Sequence, residues 1–188
     1  VGGVAVKGAT ETSFVARFNG IIEFEEVRTI KSGKKGEETD IVIGRSGEVR
    51  IIDSNTRAVL YSGIVPYGSH IFVKEGQTVN TGDMICEWDP FNAVIISEFG
   101  GKVAFEHIEE GITFKEESDE QTGFKEKVVI DSRDKTKIPV IKIVSGKETI
   151  KAYNIPVGAH ITVSEGDKIE PGEILVKIPR QMGRTGDI

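Results

Sequence analysis

The chain has 188 residues, 24 basic and 30 acidic, for a formal net charge of −6, and 38% of its residues are apolar. With 22 glycines added, the apolar content matches that of folded domains and argues against wholesale disorder. The acidic balance argues against a dedicated nucleic-acid binder, whose affinity rests on neutralising phosphates with a basic face.

The opening stretch VGGVAVKGATET lacks the extended apolar core of a secretory signal. An opening at Val1 fits a processed protein or a piece of a longer polypeptide equally well. No apolar stretch is long enough to span a membrane. A lone cysteine, Cys86, can form no internal disulfide and cannot by itself hold a structural zinc. A reducing, cytoplasmic setting is expected.

Along the chain, short β-branched runs fall at 41–43, 49–52, 71–73, 94–96, 128–130 and 161–163, each followed by a Gly, Asp, Asn or Ser turn signal. No window carries a convincing helical apolar period. The expected fold is all-β, built of many short strands with little helix. Two charged stretches, 32–38 and 115–123, read as exposed hairpin tips or loops.

The chain repeats itself. VPYGSHIFVKEGQTVNTGDMI (65–85) aligns without a gap on IPVGAHITVSEGDKIEPGEIL (155–175), with eight of 21 positions identical at a constant offset of 90. Those identities are Pro66/Pro156, Gly68/Gly158, His70/His160, Ile71/Ile161, Val73/Val163, Glu75/Glu165, Gly76/Gly166 and Gly82/Gly172. Upstream, FNGIIEFEEV (18–27) echoes FGGKVAFEHI (99–108) at an offset of 81. The second copy therefore carries nine extra residues between its matching ends. Each copy reads as a hooked element: a Pro-Gly turn, a short strand from His70, a reversal at Glu75-Gly76, inward-packing Val79, and a second reversal at Gly82-Asp83. The strand carrying FxGxxxF is expected to cover it.

The pattern IxVxEGxxVxxGD resembles the barrel-sandwich hybrid motif of biotinyl and lipoyl carriers and of β modules in multisubunit RNA polymerases. A carrier needs a modifiable lysine at an exposed hairpin tip. Glu87–Asn92 holds none, and Lys177 sits in an apolar strand context. WDPFNAVIISEFGGKVAFEHIEEGITF, DEQTGFKEKVVIDSR and the ending LVKIPRQMGRTGDI resemble, in that order, the insertion within the trigger loop of the bacterial RNA polymerase β′ subunit. The resemblance covers essentially the whole chain and is to the type with two sandwich-barrel hybrid modules. It implies a junction with the first half of the trigger loop at 1–13, module one at 14–90, module two at 91–180, and a junction with the second half at 181–188. Val1 and Ile188 should then lie at the same end of the particle.

The same resemblance implies a non-catalytic module of a DNA-directed RNA polymerase, a nucleotidyltransferase, that modulates trigger-loop movement during elongation, pausing and cleavage. The family's magnesium-binding aspartates and zinc-binding cysteines have no counterpart here, so no catalytic, cofactor-binding or metal residue is assigned in the chain. Magnesium and zinc belong to the parent subunit. Expected partners are other regions of β′ and β, elongation or cleavage factors, and DNA and RNA through the parent enzyme. The alternative is a free-standing β interaction module or carrier-like adaptor without catalytic activity.

Single residues invite sharper readings. His70 and His160 occupy equivalent positions, which duplication explains without a metal; a turn-stabilising or packing role is expected. His107 is expected to face solvent at a strand end. Cys86 reads as a small buried apolar residue, and neither GxSxG nor a phosphate-binding GxxxxGK[ST] is present. The acidic pairs Glu109-Glu110 and Asp119-Glu120 read as solvated loops rather than magnesium sites. Trp88 and Phe91 flank Asp89-Pro90 between the copies, where a role in fixing the modules' angle and a plain core role both fit.

Overall fold

The structure is a computed structural model and describes residues 12–33, 36–118, 120 and 122–180. Among them there is no helix; eighteen short strands form four open antiparallel sheets, so the all-β expectation holds. Val1, Ile188 and nearly all of the two expected junctions lie outside the described residues.

The chain divides into two compact units at Pro90/Phe91. Unit one contains β1 (Ser13–Val15), β2 (Gly20–Glu25), β3 (Thr29–Ser32), β4 (Thr39–Val42), β5 (Glu48–Ile52), β6 (Val59–Ile64), β7 (His70–Ile71), β8 (Thr78–Val79) and β9 (Met84–Glu87). They form a five-stranded sheet ordered β1-β9-β7-β4-β3 and a four-stranded sheet ordered β6-β5-β2-β8. Unit two contains β10 (Asn92–Ile96), β11 (Gly101–Glu106), β12 (Phe114–Ser118), β13 (Lys125–Val129), β14 (Val140–Ser145), β15 (Glu148–Asn154), β16 (His160–Ile161), β17 (Lys168–Ile169) and β18 (Ile174–Pro179). Its sheets run β10-β18-β16-β13-β12 and β15-β14-β11-β17, the same plan strand for strand.

Within each unit the two sheets enclose one core. In β5, Val49 and Ile51 are fully buried while Glu48 and Arg50, alternating with them, are partly exposed, as the two-residue period of a strand demands. Matched side chains fill both cores: Ile22/Val103, Val42/Val129, Ile51/Ile143, Val79/Ile169, Ile85/Leu175 and Cys86/Val176. The bulges match too. The β1–β9 register slips between Phe14 and Val15, and the β10–β18 register between Ile95 and Ile96. Each slip leaves one extra residue, Ile85 or Leu175, buried, with its carbonyl accepting from the backbone N–H of Phe72 (2.9 Å) or Thr162 (3.0 Å).

The repeated glycines have two distinct causes. At Gly76 and Gly166 the cause is dihedral: φ is 82° and 86°, and the residue after each donates to the carbonyl three residues back, Gln77 to Lys74 and Asp167 to Ser164. That is a type II turn, whose third position suits glycine. At Gly20 and Gly101 the cause is room. A Cβ on Gly20 would sit 2.5 Å from the Ile52 carbonyl oxygen, and one on Gly101 would sit 2.7 Å from that of Val144. There β2 and β11 press against bulges in the β5–β6 and β14–β15 ladders. The FxGxxxF strand does cover the hook, since Gly20 pairs with Val79 and Gly101 with Ile169.

One expectation needs correction. Residues 115–118 are not loop but belong to β12, paired with β13 from Phe114↔Val129 to Ser118↔Lys125. β12 is the last strand of its sheet. An edge strand accepts Lys115, Glu116 and Glu117 because water meets its outer side, and charge there discourages pairing with another chain.

Candidate functional site

His70 and His160 are brought into one geometry by the repeat. β7 pairs with β4 and β16 with β13, so the Nδ1 of His70 hydrogen-bonds Thr39 Oγ1 at 3.1 Å and that of His160 meets Glu126 Oε2 at 2.5 Å. Thr39 and Glu126 sit at the same place on their strands. Each histidine therefore ties the hook to the neighbouring strand. Among the described residues no group of three His, Cys, Asp or Glu side chains converges as a metal site.

Cys86 is fully buried in the core of unit one, and burial pushes its thiol up to about 12. A thiol so held is almost entirely protonated at neutral pH and is no nucleophile. His107 is exposed at the end of β11 with φ 55°, the same left-handed conformation as Glu26, its counterpart after β2. Trp88 is half-buried against the core of unit one, and Phe91 is largely exposed. Glu109 is tied to Lys137 Nζ at 2.9 Å, Glu110 is exposed, and Asp119 lies outside the described residues. Lys177 is an exposed mid-strand residue paired with Val94 and His160, not a hairpin-tip lysine.

Among the described residues a hollow lies where the two copies differ, and the sequence reading located the extra residues only as a count. The connection before β3 has three residues and that before β12 has seven; the connection before β5 has five and that before β14 has ten. The longer segments, 107–113 and 130–139, surround two adjoining cavities of about 400 and 210 Å³ that share Ile130, Asp131, Ser132, Asp134 and Lys137. At the matching corner of unit one the Arg45 guanidinium stands 4.9 Å above the Tyr67 ring. Tyr67 aligns with Val157, which lines the smaller cavity. Copy one has five residues, 43–47, where copy two has the ten of 130–139, and that difference in length was the signal in the sequence.

Most charges around this hollow are satisfied. Lys135 pairs with Asp131, and Lys137 with Glu109. Asp134 accepts from the Thr136 hydroxyl and N–H. Those bonds, with Lys137 and His107 nearby, hold its carboxyl below the usual range. Arg133 lines the larger cavity and, among the described residues, has no ion-pair partner.

No family model matches the chain. Its sequence is 50% identical over 191 aligned positions to "DNA-directed RNA polymerase subunit beta'" of Flavobacterium johnsoniae, covering 100% of this chain and 13% of the relative. The chain is a homologue of part of β′. Proteins of the same name from Bacteroides fragilis and Azobacteroides pseudotrichonymphae are 48% and 50% identical to it, again over 100% of this chain and 13% and 14% of their own length. The β′ segment thus spans about an eighth of the curated relatives it matches, and a repeat of two all-β units fills its described length.

Proposed function

We propose that the chain is the insertion carried on the β′ trigger loop: two sandwich-barrel hybrid modules that perform no chemistry and bias the loop's movement during RNA synthesis. The observation that carries this reading is the likeness itself: the whole chain aligns at 50% identity with 13% of a β′ subunit, and that segment is a repeat of two compact all-β units.

In the parent enzyme, magnesium and zinc sites and nucleotidyl transfer belong to other regions. The modules act by mass and contact, against other parts of β′ and β and against elongation or cleavage factors, in the cytoplasm. A trigger loop that folds and unfolds at each addition is a two-state element, and a contact favouring one state by about 1.4 kcal/mol changes its population tenfold. The test replaces the segment by a short glycine-serine linker in assembled polymerase. Nucleotide addition should persist while elongation rate, pause lifetime and transcript cleavage change. Loss of catalysis in a correctly assembled enzyme, or unchanged elongation and pausing, would overturn the reading.

A further inference from the structure

The sheet edges of the two units are guarded differently. β6 and β15 hold the same place, at one end of each four-stranded sheet, and among the described residues each pairs on one side only. β15 (ETIKAYN) carries Glu148 and Lys151, and the edge strand β12 carries Lys115, Glu116 and Glu117. Charges so placed keep a foreign strand away. β6 (VLYSGI) has six residues and no charge, with Val59 56% and Ile64 71% exposed. The remaining edges are two or three residues long (β8, β17, β1), carry a lysine (β3), or are largely covered along their length (β10).

The backbone of β6 is set to receive a strand. The Val65 N–H donates to Gly47 at 2.9 Å, and the ladder continues through Gly63↔Val49 and Tyr61↔Ile51. In an antiparallel pair alternate residues turn their N–H and C=O toward the same neighbour, so those of Ser62 and Ile64 point away from β5. Donors and acceptors repeating at strand spacing fit an extended polypeptide. Side chains narrow the choice. Leu60 and Tyr61 pack on the core, and Val59, Ser62 and Ile64 are exposed. On the outer face beside β6 the carboxylates of Glu23, Glu25 and Glu48 surround the single guanidinium of Arg50. The loops at the two ends of the sheet hold Asp53 with Arg57, and Glu26 with Arg28 and Arg45, so the carboxylate excess lies on the face itself. A second copy would extend this sheet with another acidic face, whereas a strand bearing outward lysine or arginine would meet opposite charge. We propose that β6 is a docking edge that takes up an extended, antiparallel segment of a partner protein, aliphatic on the side toward Tyr61 and basic on the side toward Glu48.

The test is a titration of the isotope-labelled chain with the blocked heptapeptide Val-Lys-Val-Lys-Val-Lys-Val, read by amide chemical shifts and hydrogen exchange. Shifts should gather at 59–64, and exchange should slow at the Ser62 and Ile64 amides. Methylating the backbone nitrogens of the peptide's lysines removes the donors that face β6 and should weaken binding at least about tenfold. Replacing those lysines by glutamate, or Ile64→Lys in the protein, should also weaken it at least about tenfold, while Ile150→Lys in β15 should change nothing. Ile64 is 71% exposed, so lysine there leaves the core intact. The proposal fails if the methylated or glutamate peptide binds equally, if Ile64→Lys leaves affinity unchanged, if Ile150→Lys weakens it as much, if shifts gather elsewhere, or if none occur at millimolar peptide. Concentration-dependent shifts at 59–64 without peptide would assign the edge to a second copy of the chain and equally overturn the proposal.

Discussion

The two units share a core and differ at one corner. Interior positions correspond nearly residue for residue, and so do the bulges and the hooks. The divergence is gathered in the connections before β12 and β14, where unit two has roughly twice the length of unit one and a hollow in place of a cation–aromatic stack. The contrast shows where this plan is rigid. A strand whose alternate side chains are buried cannot slip by one residue without turning its core outward, whereas a connection facing water tolerates length at little cost. New surface chemistry can be added at the corner because the sheets beneath it keep the same strand order in both units.

The largest effects should come from breaking one core and leaving the other. Ile51 and Ile143 are equivalent and fully buried, so alanine at either should cost its own unit about 2–5 kcal/mol. Trp88 is the chain's single tryptophan and packs on unit one, so its fluorescence reports that unit. In urea, Ile51→Ala should shift the fluorescence midpoint, whereas Ile143→Ala should shift only part of the far-ultraviolet circular dichroism transition. Equal fluorescence shifts from both variants would mean the units do not unfold separately.

Gly20→Ala and Gly101→Ala come next, at about 1–3 kcal/mol each, since a Cβ must displace a neighbouring strand's carbonyl. The same two-probe melt separates them. Both clashes are with a backbone carbonyl oxygen, at 2.5 and 2.7 Å, so the two costs should be of similar size, each confined to its own unit.

Much of this was legible in the sequence, for identifiable reasons. The repeat exposed the hooks because type II turns and close strand crossings leave glycine as the best residue, so Gly76/Gly166 and Gly20/Gly101 survive in both copies. The all-β character followed from short β-branched runs that must bury alternate side chains. β12 was hidden because Lys115, Glu116 and Glu117 carry the composition of a loop, and only its position at a sheet edge makes them a strand. The hollow was hidden for another reason. Nine extra residues are a number until strand pairing shows that most of them collect at one corner, and the pairing partners of 130–139 are far away in the chain.

A smaller effect tests the most polar-looking member of the apolar core. The Cys86 thiol is held at about 12 in the fold, above the ~8.5 of a free thiol. Below ~8.5 both states hold the proton and nothing is lost; above it the unfolded chain gives up a proton that the folded chain keeps. Stability of unit one should then fall by up to about 1.4 kcal/mol per pH unit as pH rises toward that folded value. Val176 stands at the same place in unit two. Cys86→Val should therefore cost little at neutral pH and flatten the alkaline fall in the Trp88-monitored midpoint. A parallel fall in both proteins would locate the sensitivity elsewhere.

The smallest expected effect lies on the outer faces of the two four-stranded sheets. Arg50 Nε bonds Glu48 at 3.2 Å, and its Nη1 stands 3.5 and 3.8 Å from Glu23 and Glu25. Its counterpart Lys142 has one such partner, Glu106, at 3.3 Å. Arg50 can serve three carboxylates because its planar fork presents several donors at fixed angles, which an ammonium cannot do. The Ser62 hydroxyl and then Arg50 hold the Glu48 carboxyl below its usual range. The resulting stabilisation is present above the ordinary carboxylate value and is lost as pH falls through the lowered one. These groups meet water, so Arg50→Lys should barely move the melt at physiological salt. The difference should appear only at low ionic strength and disappear near 1 M salt, where the screening length is about 3 Å. In that low-salt window the acid limb of unit one should come to resemble that of unit two. If Arg50→Lys instead lowers the midpoint equally at all salt concentrations, the guanidinium contributes by packing its stem on the sheet rather than by charge.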